Sequence, residues 1–260
     1  MSLLFYKYQG TGNDFVMIDN RTLFFPKEDV ELVAKLCDRR FGIGADGLIL
    51  LENDPGYDFK MVYFNADGNQ SSMCGNGGRC LVAFAQQLGI ITDKTTFIAT
   101  DGEHHATIHE DGNVSLQMLD VSKIETHKSH WFLNTGSPHH VEMVSGIGAM
   151  NVKETGASIR YGAPYFKEGS NVNFVEKKDT STFTVRTYER GVEDETYSCG
   201  TGVTAVAIAM NYSKQTPSNE VVLETPGGVL KVRFNPLDDR YTDVWLTGPA
   251  TFVYKGEISW

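Results

Sequence analysis

One separation runs through this chain. CGNGGRC (Cys74 to Cys80) is echoed by CGTGVTA (Cys199 to Ala205), with the leading cysteines 125 residues apart in a chain of 260. Tyr63 in VYFNADG and Tyr188 in TYERGVE keep that separation. So do Thr100 in FIATDG and Thr225 in VLETPG, and Gly44 in GADGLILLE and Gly169 in GSNVNFVE. Thr11-Gly12-Asn13 is answered by Thr135-Gly136-Ser137 at an offset of 124. Each match is weak alone, but one offset held across most of a half-chain points to an internal duplication. The repeat is far longer than the roughly 20–50 residues of a solenoid unit. It predicts two similar domains, one carrying Cys74 and one carrying Cys199, with Leu119 to His130 as the crossing between them.

The coarse pattern is α/β and rich in hairpins. Leu3 to Gln9 and Phe15 to Asp19 read as strands around a Gly-Thr-Gly turn. Lys27 to Cys37 has helical spacing, with Val30, Val33, Ala34 and Cys37 on one face. Leu48 to Glu52 and Phe59 to Phe64 read as strands. The residues after Cys74 read as a helix to Leu88, with Gly89 as its C-terminal cap. Val203 to Tyr212 is apolar on nearly every side, which predicts a helix buried all round. TTFIAT, HATIH and VSLQML follow the first helix as strands, and EVVLET, VLKVRF and VWLT follow the second. The fold class expected is therefore mixed α/β (α+β), with each half a mostly antiparallel sheet wrapped around one buried helix.

Composition narrows the partners. At 41% hydrophobic and 22% charged residues the chain is of ordinary globular type. A formal charge of −10 argues against nucleic acid, which needs clustered Lys and Arg. Residues 1–15 lack the apolar core of a secretion signal, and no apolar run approaches the 18 or more residues of a membrane span. Four cysteines make no disulfide framework, so a reducing cytoplasm is the expected compartment. Their spacing does not match a zinc site, and no metal is expected.

The Cys-Gly phrases carry the chemistry. A helix N-terminus leaves N–H groups without intrahelical partners and places partial positive charge there. A cysteine at that point has its thiolate stabilised, glycines let a ligand approach the backbone, and the same N–H groups can hold a carboxylate. A lone cysteine is more often a small buried hydrophobe. Two in duplicated glycine contexts favour a reactive pair, whereas Cys37 and Cys80 read as core. Gly42 to Gly47 satisfies G-x-G-x-x-G, but a helix precedes it and a strand follows, the reverse of a dinucleotide site. His104, His105, His109, His127 and His130 fall in polar context that reads as exposed, without ligand spacing. His139 follows a Gly-Ser-Pro turn where the first half has its TGND loop; local sequence leaves a structural or a functional role open.

Two thiols answer a specific problem. Removing a proton from the carbon next to a carboxylate and returning it to the opposite face needs a base on one side and an acid on the other. Two helix N-termini can meanwhile hold the carboxylate as charge develops. No cofactor is required.

These residues are recognisable. The chain resembles the diaminopimelate epimerase family, within the cofactor-independent amino-acid racemase and epimerase superfamily. The resemblance covers nearly the full length and rests on TGNDF, GIGADGL, NADG, MCGNGGRC, GSPHHV, GSNVNFV, YERGVEDET and SCGTG in that order. It implies that Cys74 and Cys199 are the acid/base pair, with His139 partnering Cys74 and Glu189 partnering Cys199. Gly75, Asn76, Gly200 and Thr201 would meet the reacting carboxylate. Asn13, Asn65, Asn171, Glu189 and Arg190 would hold the rest of the substrate, with Arg190 suited to a bidentate grip on the distal carboxylate. It further implies an active site in the cleft between the domains and a C-terminal strand that returns to the first domain. The domains would be 1–120 with 249–260, and 121–248. The expected partner is a small amino-acid substrate, with a homodimer as family expectation. Ser137 and Gly47 depart from the residues of some family members and bear on the substrate's far end. The reaction implied is LL- to meso-diaminopimelate; racemisation of another amino acid and non-catalytic small-molecule binding are the alternatives.

Overall fold

The computed structural model describes residues 2–259. The chain divides into two compact units, one ending at Leu116 and completed by the segment from Gly248 onward, the other spanning Gln117–Thr247. No helix among the described residues is long and apolar enough to cross a membrane.

In the first unit, β1 (Ser2–Gly10) turns through Thr11 and Gly12 into antiparallel β2 (Asn13–Asp19). Helix α1 (Val30–Cys37) then leads to β3 (Gly47–Glu52), which lies parallel to β2, and β4 (Lys60–Asn65) returns antiparallel. Short β5 (Gln70–Ser71) precedes α2 (Gly75–Gln87), after which β6 (Lys94–Ala99), β7 (Gly102–Ile108) and β8 (Asn113–Gln117) form a meander. The expected helix at Lys27 starts later, because Asp29 caps it: its carboxylate accepts from the Leu32 N–H at 3.0 Å. Val30 consequently faces solvent, and Val33, Leu36 and Cys37 make the buried face.

Strand β3 is buried along its whole length because helices cover both faces. Leu48 and Leu50 join Val33, Leu36 and Cys37 under α1. Ile49 points the other way, against α2, where a Cβ on Gly77 would lie 2.9 Å from Ile49 Cδ1. Helix α2 packs on β1, β2, β3 and β7, so it forms the centre of the unit.

The second unit repeats this plan. After β9 (Ile124–Thr126), the hairpin β10 (His130–Asn134) and β11 (Pro138–Met143) corresponds to β1 and β2. Helix α3 (Val152–Tyr161), unheralded by apolar spacing, occupies the place of α1 and is capped by Asn151, which accepts from the Glu154 N–H at 3.2 Å. Strand β12 (Asn171–Lys177) runs parallel to β11, and β13 (Thr182–Glu189) returns antiparallel. Then β14 (Asp194–Thr196) leads into α4 (Gly200–Tyr212), and β15 (Glu220–Thr225), β16 (Gly228–Leu237) and β17 (Arg240–Pro249) close the repeat. Residues Val203 to Met210 of α4 are fully buried, as the unbroken apolar run predicts.

The closing strands are exchanged. Each repeat ends in a strand after its meander: β9 in the first, β18 (Thr251–Ser259) in the second. β9 pairs with β10 and so edges the second unit, while β18 pairs along nearly all of β1 and edges the first.

Candidate active site

Two kinds of helix start distinguish the outer from the inner helices. α1 and α3 begin with Asp29 and Asn151, whose side chains accept first-turn N–H groups. α2 and α4 begin with Cys74 and Cys199, neither of which makes a side-chain cap hydrogen bond. The inner helices therefore offer their first-turn N–H groups and partial positive charge to something else. Gly75 and Asn76 are buried in the first turn of α2; Gly200 is buried and Thr201 half-buried in that of α4.

In the first unit, Asn13 opens β2 beside α2. Its Oδ1 accepts from Cys74 Sγ at 3.6 Å and from Asn76 Nδ2 at 3.4 Å. The amide cannot turn over freely, since its Nδ2 donates to Asp46 Oδ2 at 2.6 Å. Asp46 is held in turn by Arg39 at 2.7 Å. Arg39 also pairs with Asp14 at 2.8 Å, and Lys7 pairs with Asp14 at 2.7 Å. Burial alone would raise the Asp14 carboxyl, but hydrogen bonds from Arg39 and Lys7 outweigh it and pull it down to about 2. This chain of charges holds Asn13 with its oxygen toward the Cys74 sulfur. Asn65 ends β4 and is exposed; the register Phe15–Gly47–Asn65 puts it at the same end of the sheet as Asn13.

Gly47 is filled by its neighbours. A Cβ there would come within 2.6 Å of both Phe64 O and the Tyr63 ring. A side chain at this position therefore has no room while Tyr63 keeps its place.

In the second unit, His139 is fully buried in β11 and linked on both sides. Asn173 Nδ2 donates to its Nδ1 at 3.1 Å, and its Nε2 lies 3.0 Å from Thr201 Oγ1. Asn173 is fixed in that orientation because its Oδ1 accepts from Thr187 Oγ1 at 3.0 Å and its Nδ2 also donates to His140 O. With Nδ1 an acceptor, Nε2–H donates to Thr201, whose hydroxyl stands 3.5 Å from Cys199 Sγ. Burial, with Arg190 acting in the same direction, pushes the His139 imidazole down to about 3. It is a neutral donor at neutral pH. Gly202 makes this approach possible, since a Cβ there would lie 2.5 Å from Asn173 Oδ1 and 3.2 Å from Cys199 Cβ.

Asn171 opens β12 directly beside His139 in register. Its Oδ1 accepts from the Arg190 N–H at 2.8 Å, and its Nδ2 donates to Ser137 Oγ at 2.8 Å. Glu189 closes β13 half-buried, and Arg190, next to it, is exposed with Nη1 donating to Glu168 O at 2.9 Å. Each unit thus brings its own predicted residues to one end of its own sheet. Sequence reasoning missed Asn173, Asp46, Thr11 and Arg79. Asn171 and Asn173, two apart on β12, share one face of the strand, and Asn173 Oδ1 lies 2.5 Å from where a Cβ on Gly202 of α4 would sit. No group of three or more His, Cys, Asp or Glu among the described residues is placed to hold a metal. The other two thiols are core: burial pushes Cys37 and Cys80 up to about 12.

The polypeptide path is that of a known class. A phenazine biosynthesis protein of the PhzF family from Bacillus anthracis superposes with a TM-score of 0.80 at 12% identity, covering all of both chains. A hydroxyproline epimerase from Agrobacterium vitis superposes with a TM-score of 0.71 at 14% identity, covering 99% of this chain and 92% of that one. The fold is therefore the duplicated α+β fold of PhzF and proline-racemase-like proteins. Within it, the family model for diaminopimelate epimerase matches residues 5–124 and 131–253, one segment per repeat. The diaminopimelate epimerase of Flavobacterium psychrophilum is 60% identical over 97% of this chain and 99% of its own length. That of Chlorobaculum tepidum is 43% identical over 96% of this chain and 99% of its own. The chain belongs to the diaminopimelate epimerase family.

Proposed function

We propose that this chain is an isomerase that interconverts LL- and meso-diaminopimelate on the route to lysine, in the cytoplasm and without a cofactor. The observation that carries this is the pair of cysteine-capped inner helices, one per repeat, with no side-chain cap bond at either start. In this reading one sulfur, as thiolate, takes the α-proton; the other, as thiol, delivers a proton to the opposite face. One S–H bond forms and one breaks, so the enzyme ends with its proton on the other sulfur and the reverse reaction resets it. N–H groups of Gly75, Asn76, Gly200 and Thr201 hold the α-carboxylate while negative charge develops on the carbon. The family resemblance assigns His139 to Cys74 and Glu189 to Cys199, although both His139 ring nitrogens are engaged here, by Asn173 and Thr201. Arg190 grips the distal carboxylate in a loop tied by Asn171, and Asn13 and Asn65 complete the far-end contacts.

Incubation with LL-diaminopimelate in heavy water tests the reading: the product meso isomer should carry one deuterium at the inverted carbon. No exchange at any pH between 6 and 9 would sink it. Exchange with another amino acid but none with diaminopimelate would transfer the same chemistry to a different substrate.

We also propose a homodimer. β1 and β18 leave Leu4, Phe252, Val253 and Tyr254 about half exposed on neighbouring strands, apolar surface that a second copy could cover. Light scattering should give twice the 28.8 kDa chain mass, falling to the single-chain value in Val253→Lys. A monomer at tens of micromolar would refute this.

A further inference from the structure

Arg79 is the most anomalous charge in the molecule. Its side chain is completely buried in α2, one turn beyond Cys74. Every hydrogen bond it makes goes to a neutral oxygen: Asn76 Oδ1 at 2.9 Å, Gly75 O at 3.3 Å and Thr11 Oγ1 at 3.4 Å. Its Nε is buried with no partner. Among the described residues no carboxylate lies within 4.0 Å of it. The other well-packed guanidiniums behave differently: Arg160 pairs with Glu193 at 3.1 Å and Arg186 with Glu195 at 2.6 Å.

A guanidinium does not shed its proton in a protein, and burying one without an anion is strongly unfavourable. Nothing in the packing needs that cost, since a methionine would fill similar space without it. The charge must be balanced by an anion that is present only part of the time. Two candidates arise at this helix start: the Cys74 thiolate and a carboxylate held by the first-turn N–H groups. Burial pushes the Arg79 guanidinium down, and the Cys80 and Cys74 sulfurs act against that fall. The reciprocal effect favours negative charge on those sulfurs. Cys80 is sealed in the core, which leaves Cys74 as the sulfur that can use it.

We propose that Arg79 is a positioning residue whose buried positive charge, uncompensated in the resting protein, supplies the counter-charge for the Cys74 thiolate and for the carboxylate bound at the start of α2. It acts from behind the helix through Asn76 and the first-turn backbone, without touching substrate. This rests on reading Cys74 as a proton carrier.

The test reads the sulfur and not turnover, so it succeeds or fails separately from the epimerase assignment. Alkylation of Cys74 by iodoacetamide is followed by peptide mass spectrometry across pH 6–10 in the full chain carrying Cys199→Ser. Arg79→Met should slow alkylation at neutral pH about tenfold and displace the rate–pH curve to higher pH, while Arg79→Lys should stay within about threefold of the parent. Equal curves for the parent and Arg79→Met, or equal loss in both variants, would overturn the proposal and leave Arg79 as packing. Should the variants fail to fold, the parent protein decides. A buried cation should make anionic iodoacetate react with Cys74 faster, relative to neutral iodoacetamide, than it does with glutathione. The same ratio for both thiols would overturn the proposal equally.

Discussion

Replacing either active thiol should stop inversion while leaving exchange at one face. Cys74→Ala and Cys199→Ala are each expected to lower epimerisation by about a hundredfold to ten-thousandfold, since each removes one of two proton-transfer groups worth about 10² to 10⁴ apiece. The two variants should nevertheless differ. With one sulfur left, a proton can leave and return on the same face, so each variant should incorporate solvent deuterium into one isomer with retention. Cys74→Ala and Cys199→Ala should label opposite isomers. Proton magnetic resonance of both isomers in heavy water checks this, and full inversion by either variant would exclude a two-thiol mechanism. Both helices should still form, because neither cysteine side chain caps its own helix.

Acid should loosen the second unit before the first. His139 and His140 are buried in adjacent positions of β11, and burial pushes them down to about 3 and about 4. Burial, with His127 acting in the same direction, keeps His140 neutral; Tyr165 OH stands 2.9 Å from its Nδ1 and Glu142 Oε2 3.2 Å from its Nε2. Burial raises Glu142 and pushes Tyr165 up to about 12. His130 stacks on His140 with ring centroids 4.1 Å apart, and His127 stacks on His130 at 4.5 Å.

For such groups the folded value lies below the unfolded one of about 6.5, so the unfolded chain binds more protons between the two. The stability they confer is present above about pH 6.5 and is lost as pH falls toward 4. At about 1.4 kcal/mol per pH unit, His139 and His140 each cost about 3 kcal/mol by pH 4. Together that is a large part of a domain's usual 5–15 kcal/mol. In the first unit Asp14 acts in the same direction but at lower pH: lowered to about 2, it loses its contribution only below its unfolded value of about 3.8. Amide hydrogen exchange should therefore show β11 to β13 losing protection between pH 6.5 and 4.5 while β2 to β4 hold theirs. His140→Gln should flatten the slope. Equal protection at pH 7 and pH 5 in β11 to β13 would contradict the argument.

The legible parts of this protein share one property: a local pattern stated them. Val203 to Met210 is apolar on every side, and α4 is buried on every side. Gly89 ends α2 with a positive φ of 70°, as a C-terminal glycine should. α3 was silent for a physical reason. Only Val152 and Gly156 of it are buried, so there is no apolar stripe to read, and Gly156 is a weak helix former placed where a Cβ would lie 2.3 Å from Tyr188 Cβ. His130 misled for a related reason. His130 has polar neighbours in sequence and reads as exposed, yet it is partly buried, because its cover comes from His140 across the hairpin and from His127.

The sequence by itself determined the duplication, the family and the two Cys-Gly helix starts, because these are recorded as residue identity at fixed spacing. Only the tertiary structure decided what surrounds each sulfur. Asp46 orients Asn13 toward Cys74, Asn173 orients His139 toward Thr201, and Arg79 lies buried in α2 with no carboxylate within 4.0 Å among the described residues. The exchange of β9 and β18 between units is of the same kind. Each depends on which distant segments meet and on how completely they exclude water, and burial and partnership are properties of packing that no local run of residues states.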